Sequence, residues 1–167
     1  MKYSLLFVFT LLLAHSAFAL GVGDSASSVK LDQVGTDGRV THHSITDSQA
    51  SGQAVVLEFF QITCPHCIAS FEAMNQAAAD LGQKATFRLV LVNGSESDLQ
   101  DFTSKNPNLV QHETAIDADW EAAQDYEISE TPTVFVLNSK NRIIYQNVGL
   151  VTTDIAQAIE QAAQNAH

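Results

Sequence analysis

Among 167 residues there are two cysteines, three prolines and one tryptophan, and lysine plus arginine number 8 against 19 aspartates and glutamates. Each scarcity removes a class of protein. Two thiols fall short of the four ligands that a structural zinc site takes. A formal net charge of −11 repels phosphate, so nucleic acid and anionic lipid surfaces are poor partners, and a well-solvated acidic surface needs no partner at all. No internal repeat, low-complexity tract or domain linker interrupts the chain, whose size and 46% hydrophobic content suit one ordinary domain.

The first 19 residues stand apart. Lys2 supplies a positive start, Leu5 to Ala14 is almost wholly apolar, and Ala17-Phe18-Ala19 is a small-x-small cleavage site, which together predict a signal peptide over 1–19 and a mature domain over 20–167. An uncleaved anchor is the alternative, but it needs roughly 20 apolar residues, and His15 and Ser16 break the run. No cysteine lies near Leu20 to carry a lipid. The expectation is a periplasmic or secreted protein, soluble once the signal is cleaved, with a net charge of −12 after Lys2 is lost. Its oligomeric state is not legible.

In an oxidising compartment two cysteines normally make one structural disulfide. Here only Pro65 and His66 separate Cys64 from Cys67, and so small a loop restricts the unfolded chain little. Chemistry explains the spacing better than stability does.

Hydrophobic patterning supplies the setting. Residues 29–34 and 39–45 flank Gly35-Thr36-Asp37-Gly38 and predict a hairpin, because Asp-Gly provides the positive φ of a tight turn. The near-continuous apolar run Ala54 to Phe60 predicts a central strand covered on both faces. From Cys64 onward Ile68, Phe71, Met74, Ala78 and Leu81 recur at helical spacing, with Pro65 in the first turn and Gly82 at the stop. A strand over 86–92 follows, then a helix opened by Ser95 and ended before Pro107, and a short helix over 117–126 whose Trp120, Ala123 and Tyr126 are expected in the core. Strands over 133–137 and 142–148, joined by a turn, precede a closing helix over 152–163. The fold class is α/β: a central mixed sheet with helices on both faces and an N-terminal β-hairpin extension.

A helix starting at Cys64 places that sulfur beside free N–H groups and the positive dipole end, which favours a thiolate. Cys67, one turn inside, reaches the same sulfur from a more buried position and suits resolution of a mixed disulfide. His66 adds a donor. Val56 to Phe60 followed by Cys64-Pro65-His66-Cys67 resembles the active-site segment of the DsbA oxidants, whereas the chain from residue 21 to 165 resembles thioredoxin-fold proteins of the TlpA and ResA type. The quoted likenesses are Val22-Gly23-Asp24, the hairpin, Asp117 to Trp120, Tyr126-Glu127-Ile128 and Thr131-Pro132-Thr133. Only 67 residues lie between Cys64 and Pro132, too few for the helical insertion of DsbA.

The resemblance implies the thioredoxin fold and a thiol–disulfide oxidoreductase that needs no cofactor beyond its Cys64–Cys67 disulfide. It implies protein thiol or disulfide substrates and a membrane redox partner. It makes Pro132 a cis-proline facing the cysteines, with Thr131 offering backbone groups to an incoming peptide; Pro65, His66, Thr131 and Pro132 are thus the substrate-binding candidates. The other possibility for Pro132 is an ordinary strand-entry proline. Glu58, six residues before Cys64, matches a carboxylate of the family; buried, it would have a raised pKa and could take the proton of Cys67. A half-exposed Glu58 paired with a lysine is the alternative. Thr63 stands where relatives carry an aromatic residue, which makes the docking surface less apolar.

Other chemistries fit less well. Copper could be held by Cys64, Cys67 and a histidine such as His112, although copper-delivering relatives space their cysteines by three residues; no metal site is expected. Covalent haem needs histidine after Cys67, where Ile68 stands. A peroxidase of this fold wants threonine where Gln61 is. His42, His43 and His112 are expected to be solvated. Direction of electron flow is divided between the two resemblances, and the Pro-His dipeptide favours an oxidant.

Overall fold

Strand residues with buried side chains on alternating faces organise the protein around one sheet. The computed structural model describes residues 20–48, 52–151 and 155–164; the expected signal peptide lies outside them. Strands β1 (Lys30–Val34) and β2 (Val40–Ser44) form the predicted hairpin, with Gly38 at φ 78° and the Gly35 N–H donating to the Arg39 carbonyl at 2.8 Å. β3 (Ala54–Phe60) is buried throughout, as its apolar run implied. It lies parallel to β4 (Ala85–Val92) and antiparallel to β6 (Thr133–Leu137). With β5 (Glu113–Asp117) and β7 (Ile143–Val148) the seven strands are ordered β2-β1-β5-β4-β3-β6-β7. This is the mixed α/β architecture of the thioredoxin fold.

Helix α1 (Pro65–Leu81) packs on the face that carries Val56, Glu58 and Phe60, beside α2 (Glu96–Lys105) and α4 (Ile155–Gln164). Residues 152–154, expected to begin α4, lie outside the described set. The opposite face, lined by Val55, Leu57 and Phe59, is covered by α3 (Glu121–Asp125), the N-terminal segment and Ile45. Tyr126 closes that core, with its ring 5.1 Å from Phe59 and its hydroxyl donating to the Ser27 carbonyl. Serine at position 95 caps α2 as expected, in a reciprocal box with Asp98.

Four details depart from the sequence reading. The buried stripe of α1 is Cys67, Ser70, Phe71, Met74, Ala77 and Leu81, so Ile68, one residue farther round the helix, is exposed and Ala78 half-buried. Residues 113–117 form β5, a strand too short for its alternation to stand out in the sequence, and α3 begins only at Glu121. Trp120 therefore sits ahead of the helix and outside the core, 39% exposed, while Ala123 and Tyr126 are buried as expected. His112 is not solvated: its ring stacks on Phe87 at 5.3 Å and its Nε2 is buried.

Candidate active site

β3, β4 and β5 are mutually parallel, so their C-terminal ends form one edge of the sheet. Beyond Phe60 the chain turns through Gln61-Ile62-Thr63, with the Cys64 N–H donating to the Gln61 carbonyl at 3.1 Å, and enters α1. Cys64 is the N-cap, in extended conformation at φ −90° and ψ 109°, and Pro65 occupies the first turn, where its missing N–H removes no helical bond. The Cys67 N–H points at Cys64 Sγ from 3.1 Å. A sulfur at an N-cap thus takes the place usually held by a serine or aspartate oxygen, and any negative charge on it faces an N–H and the helix dipole.

Cys64 and Cys67 form a disulfide with Cα atoms 5.3 Å apart. Their exposures differ: Cys64 is half-buried, while Cys67 is fully buried in a cluster with Phe60, Phe71, Leu89, Leu99 and Phe102. Attack from solvent can reach only one of the two sulfurs. Thr63, Pro65 and His66 are exposed around it.

β6 runs antiparallel to β3 with Thr133 opposite Phe59, which brings the residues before β6 to the same edge. The Thr131–Pro132 bond is cis, and the Thr131 carbonyl oxygen lies 3.4 Å from Cys64 Sγ. The expected neighbours of the cysteines are therefore gathered in space across 67 residues of sequence. That carbonyl opposes a thiolate and suits a thiol, which can donate to it, so the Cys67 N–H and the Thr131 oxygen pull the proton affinity of Cys64 in opposite directions.

Glu58 is buried, and neither carboxyl oxygen has a hydrogen-bond partner among the described residues. It lies on the α1 face between Val56, which packs with Met74, and Phe60, which packs with Cys67. Desolvation pushes its pKa up from 4.5 to about 8. The alternative, a half-exposed carboxylate paired with lysine, is not what the structure holds. No sequence signal points to Ser70, whose buried hydroxyl donates to the His66 carbonyl at 2.9 Å and accepts from the Val151 N–H at 3.0 Å. It ties the first turn of α1 to the segment after β7.

His112 is not brought to the cysteines. It precedes β5, whose Glu113 is level with Leu57 through Arg88, whereas Cys64 lies beyond the other end of β3. Desolvation lowers its pKa to about 4. Of the hairpin histidines, His42 is exposed and 2.8 Å from Asp32, and His43 is partly buried with Nε2 3.3 Å from Glu113 and 3.2 Å from Arg88.

The family model described as the AhpC/TSA family matches residues 22–146. Among solved structures, one described as a thiol:disulfide interchange protein DsbE from Chlorobium tepidum is 26% identical, with TM-score 0.69 over 88% of this chain and 98% of that one. StoA from Bacillus subtilis is 21% identical, with TM-score 0.63 over 80% of this chain and 98% of its own. A mitochondrial 2-cys peroxiredoxin from Plasmodium falciparum, 11% identical, reaches TM-score 0.68 over 84% of this chain and 92% of its own. The last two likenesses concern the fold alone. No curated protein matches the chain.

Proposed function

Because the chain belongs to the AhpC/TSA family, we propose that it is an exported thiol–disulfide oxidoreductase that oxidises protein dithiols through Cys64. A substrate thiolate attacks Cys64 Sγ, the S–S bond breaks, and Cys67 leaves with the electron pair and takes a proton. The second substrate thiolate then attacks the substrate sulfur of the mixed disulfide, and Cys64 leaves as a thiolate against the Cys67 N–H. Two electrons pass to the protein, and a membrane redox partner would withdraw them. In the reverse direction Glu58 takes the proton of Cys67 as it resolves the mixed disulfide, which is work for a desolvated acid.

The observation that carries the reading is the asymmetry of the pair, one sulfur half-exposed at a helix N-cap and the other fully buried. The oxidant direction rests on the Pro-His dipeptide at that N-cap, since whatever stabilises the Cys64 thiolate stabilises the reduced protein and raises its potential. Equilibration with glutathione is expected to give a potential of roughly −230 to −130 mV, above the thioredoxin value of about −270 mV. A value at or below thioredoxin's makes the protein a reductase. In the reduced protein, iodoacetamide is expected to modify Cys64 and spare Cys67; equal modification of both removes the assigned nucleophile.

A further inference from the structure

Four residues other than glycine have positive φ among the described residues: Asn93, Trp120, Glu127 and Asn141. Asparagine tolerates that conformation. Glu127 follows the last turn of α3, where a left-handed residue ends a helix and lets the Ile128 N–H donate back to the Ala123 carbonyl at 2.8 Å. Trp120, at φ 63°, has no such excuse. A bulky side chain in this region is an outlier, and it is held there by a neighbour: the buried Asp117 carboxylate accepts from the Ala122 and Ala123 N–H groups, at 3.1 and 2.8 Å, which sets the start of α3 and forces the turn before it.

The strained residue is also partly exposed and lies outside the buried core clusters. Trp120 is 39% exposed and has no aromatic partner among the described residues. Its place is at the reaction edge, because it follows the C-terminal end of β5, two strands from β3 and Cys64. Among the described residues, the other exposed large apolar side chains repeat that bias: Ile68, Val148 and Leu150 flank Cys64 and Pro132, while Val22 and Val40 lie toward the other end.

Exposed cations mostly avoid the reaction edge, whereas carboxylates are exposed at both ends of the sheet. Glu96, Asp98, Asp119, Glu121 and Glu130 are exposed on the loops and helix starts at the reaction end. Of the cations, Lys30 stands near it; Arg39, Lys84, Lys105, Lys140 and Arg142 lie in the turns and helix end at the far side. A partner that meets Cys64 faces exposed Thr63, Pro65 and His66, with exposed apolar side chains and a rim of carboxylates around them.

We infer that Trp120 is a specificity-determining contact for the exchange partner, and that the partner's segment around its reactive cysteine is apolar and cationic. The inference rests on the exchange reading above and adds the partner's chemistry to it. Electrostatic complementarity of this kind acts on the encounter rate and weakens with salt.

The test uses the oxidised full domain with three reductants: dithiothreitol, a neutral small dithiol, and two synthetic dithiol peptides that share an apolar core and carry either lysines or glutamates on both flanks. The lysine peptide is expected to be oxidised at least ten-fold faster than the glutamate peptide at low salt, with the ratio shrinking in 0.5 M salt. Trp120→Asn, which keeps a residue suited to positive φ, should lower the rate for the lysine peptide relative to dithiothreitol at least five-fold, and Trp120→Tyr should bring that ratio to within two-fold of the parent. Equal rates for the two peptides, or an unchanged ratio in Trp120→Asn, overturns the inference. So does a fall in melting temperature of more than about 5 °C in Trp120→Asn, which would make the indole a packing residue. Inertness of the parent toward dithiothreitol overturns instead the exchange reading, and the inference with it.

Discussion

Glu58 and Arg88 are long ionisable side chains that the middle of the sheet buries on neighbouring strands, one residue apart in register and on opposite faces. Arg88 is fully supplied. Its Nε and Nη2 donate to Glu113 at 3.1 and 2.9 Å, and Nη1 donates to the Ile45 and Asp47 carbonyls at 2.5 and 2.9 Å. Glu58 receives nothing from the described residues. A charge that serves the fold is paired and hydrogen-bonded, because desolvation otherwise exceeds what the ion contributes. A carboxyl left unpaired keeps its proton to a higher pH, and on the sheet face that packs against α1 that is useful chemistry. One sheet therefore buries two ionisable groups on opposite terms, Arg88 on the hairpin side satisfied and Glu58 on the α1 side poised.

Breaking the satisfied side should have the larger effect. Arg88→Met leaves Glu113 and several carbonyls without a donor, and should destabilise the domain by about 3–5 kcal/mol, as loss of one partner of a buried pair does. Urea unfolding at pH 7 measures it. A change below about 1 kcal/mol would mean that the network is replaceable and the contrast with Glu58 empty.

The poised side responds through pH. Below 4.5 the folded and unfolded chains both hold the Glu58 proton, and between 4.5 and about 8 the folded chain alone retains it. Stability should therefore fall as pH rises through that window, by about 3 kcal/mol at pH 7. Glu58→Gln should remove this slope in urea titrations run from pH 5 to 8. The same substitution should slow release of a trapped mixed disulfide by about 100-fold, the low end for a lost general base. An unchanged release rate across neutral pH would leave Glu58 a structural acid.

The smallest effect is expected at His112, whose folded pKa is depressed to about 4 from 6.5. Its neutral form is stabilising above pH 6.5, and that contribution is lost as pH falls through 4, about 2 kcal/mol for a partly exposed ring. His112→Leu should flatten the acid limb of the stability curve and leave the Glu58 slope above pH 6.5 untouched. If both limbs move together, the two groups, which share the α1 face, are coupled and do not titrate independently.

Most of the elements were legible because their signals are local. The apolar run at 54–60, the N-cap and first-turn proline at Cys64 and Pro65, the Ser95 cap and the Asp37-Gly38 turn each depend on a few adjacent residues. β5 was not, since only Ala115 and Ile116 are apolar in its five residues and a strand so short is recognised by its neighbours more than by its own pattern. Trp120 and His112 were misplaced for a related reason. Composition says that an indole prefers burial and a loop histidine prefers water, but where each ring ends depends on how the adjoining strand β5 sits in the sheet.

The sequence by itself determined the chemistry available to the protein: two cysteines at helix-turn spacing, a proline between them, an acid inside an apolar strand, and a surface short of cations. Tertiary structure decided which of those groups meet. Thr131 comes within 3.4 Å of Cys64 across 67 residues because β6 returns antiparallel beside β3. Glu58 lacks a partner because α1 covers its face with apolar side chains. Trp120 reaches the reaction edge because β5 lies parallel to β4 and Asp117 stops it there. Side-chain type is a property of position in the chain, whereas proximity, exposure and proton affinity are properties of what the sheet places around it.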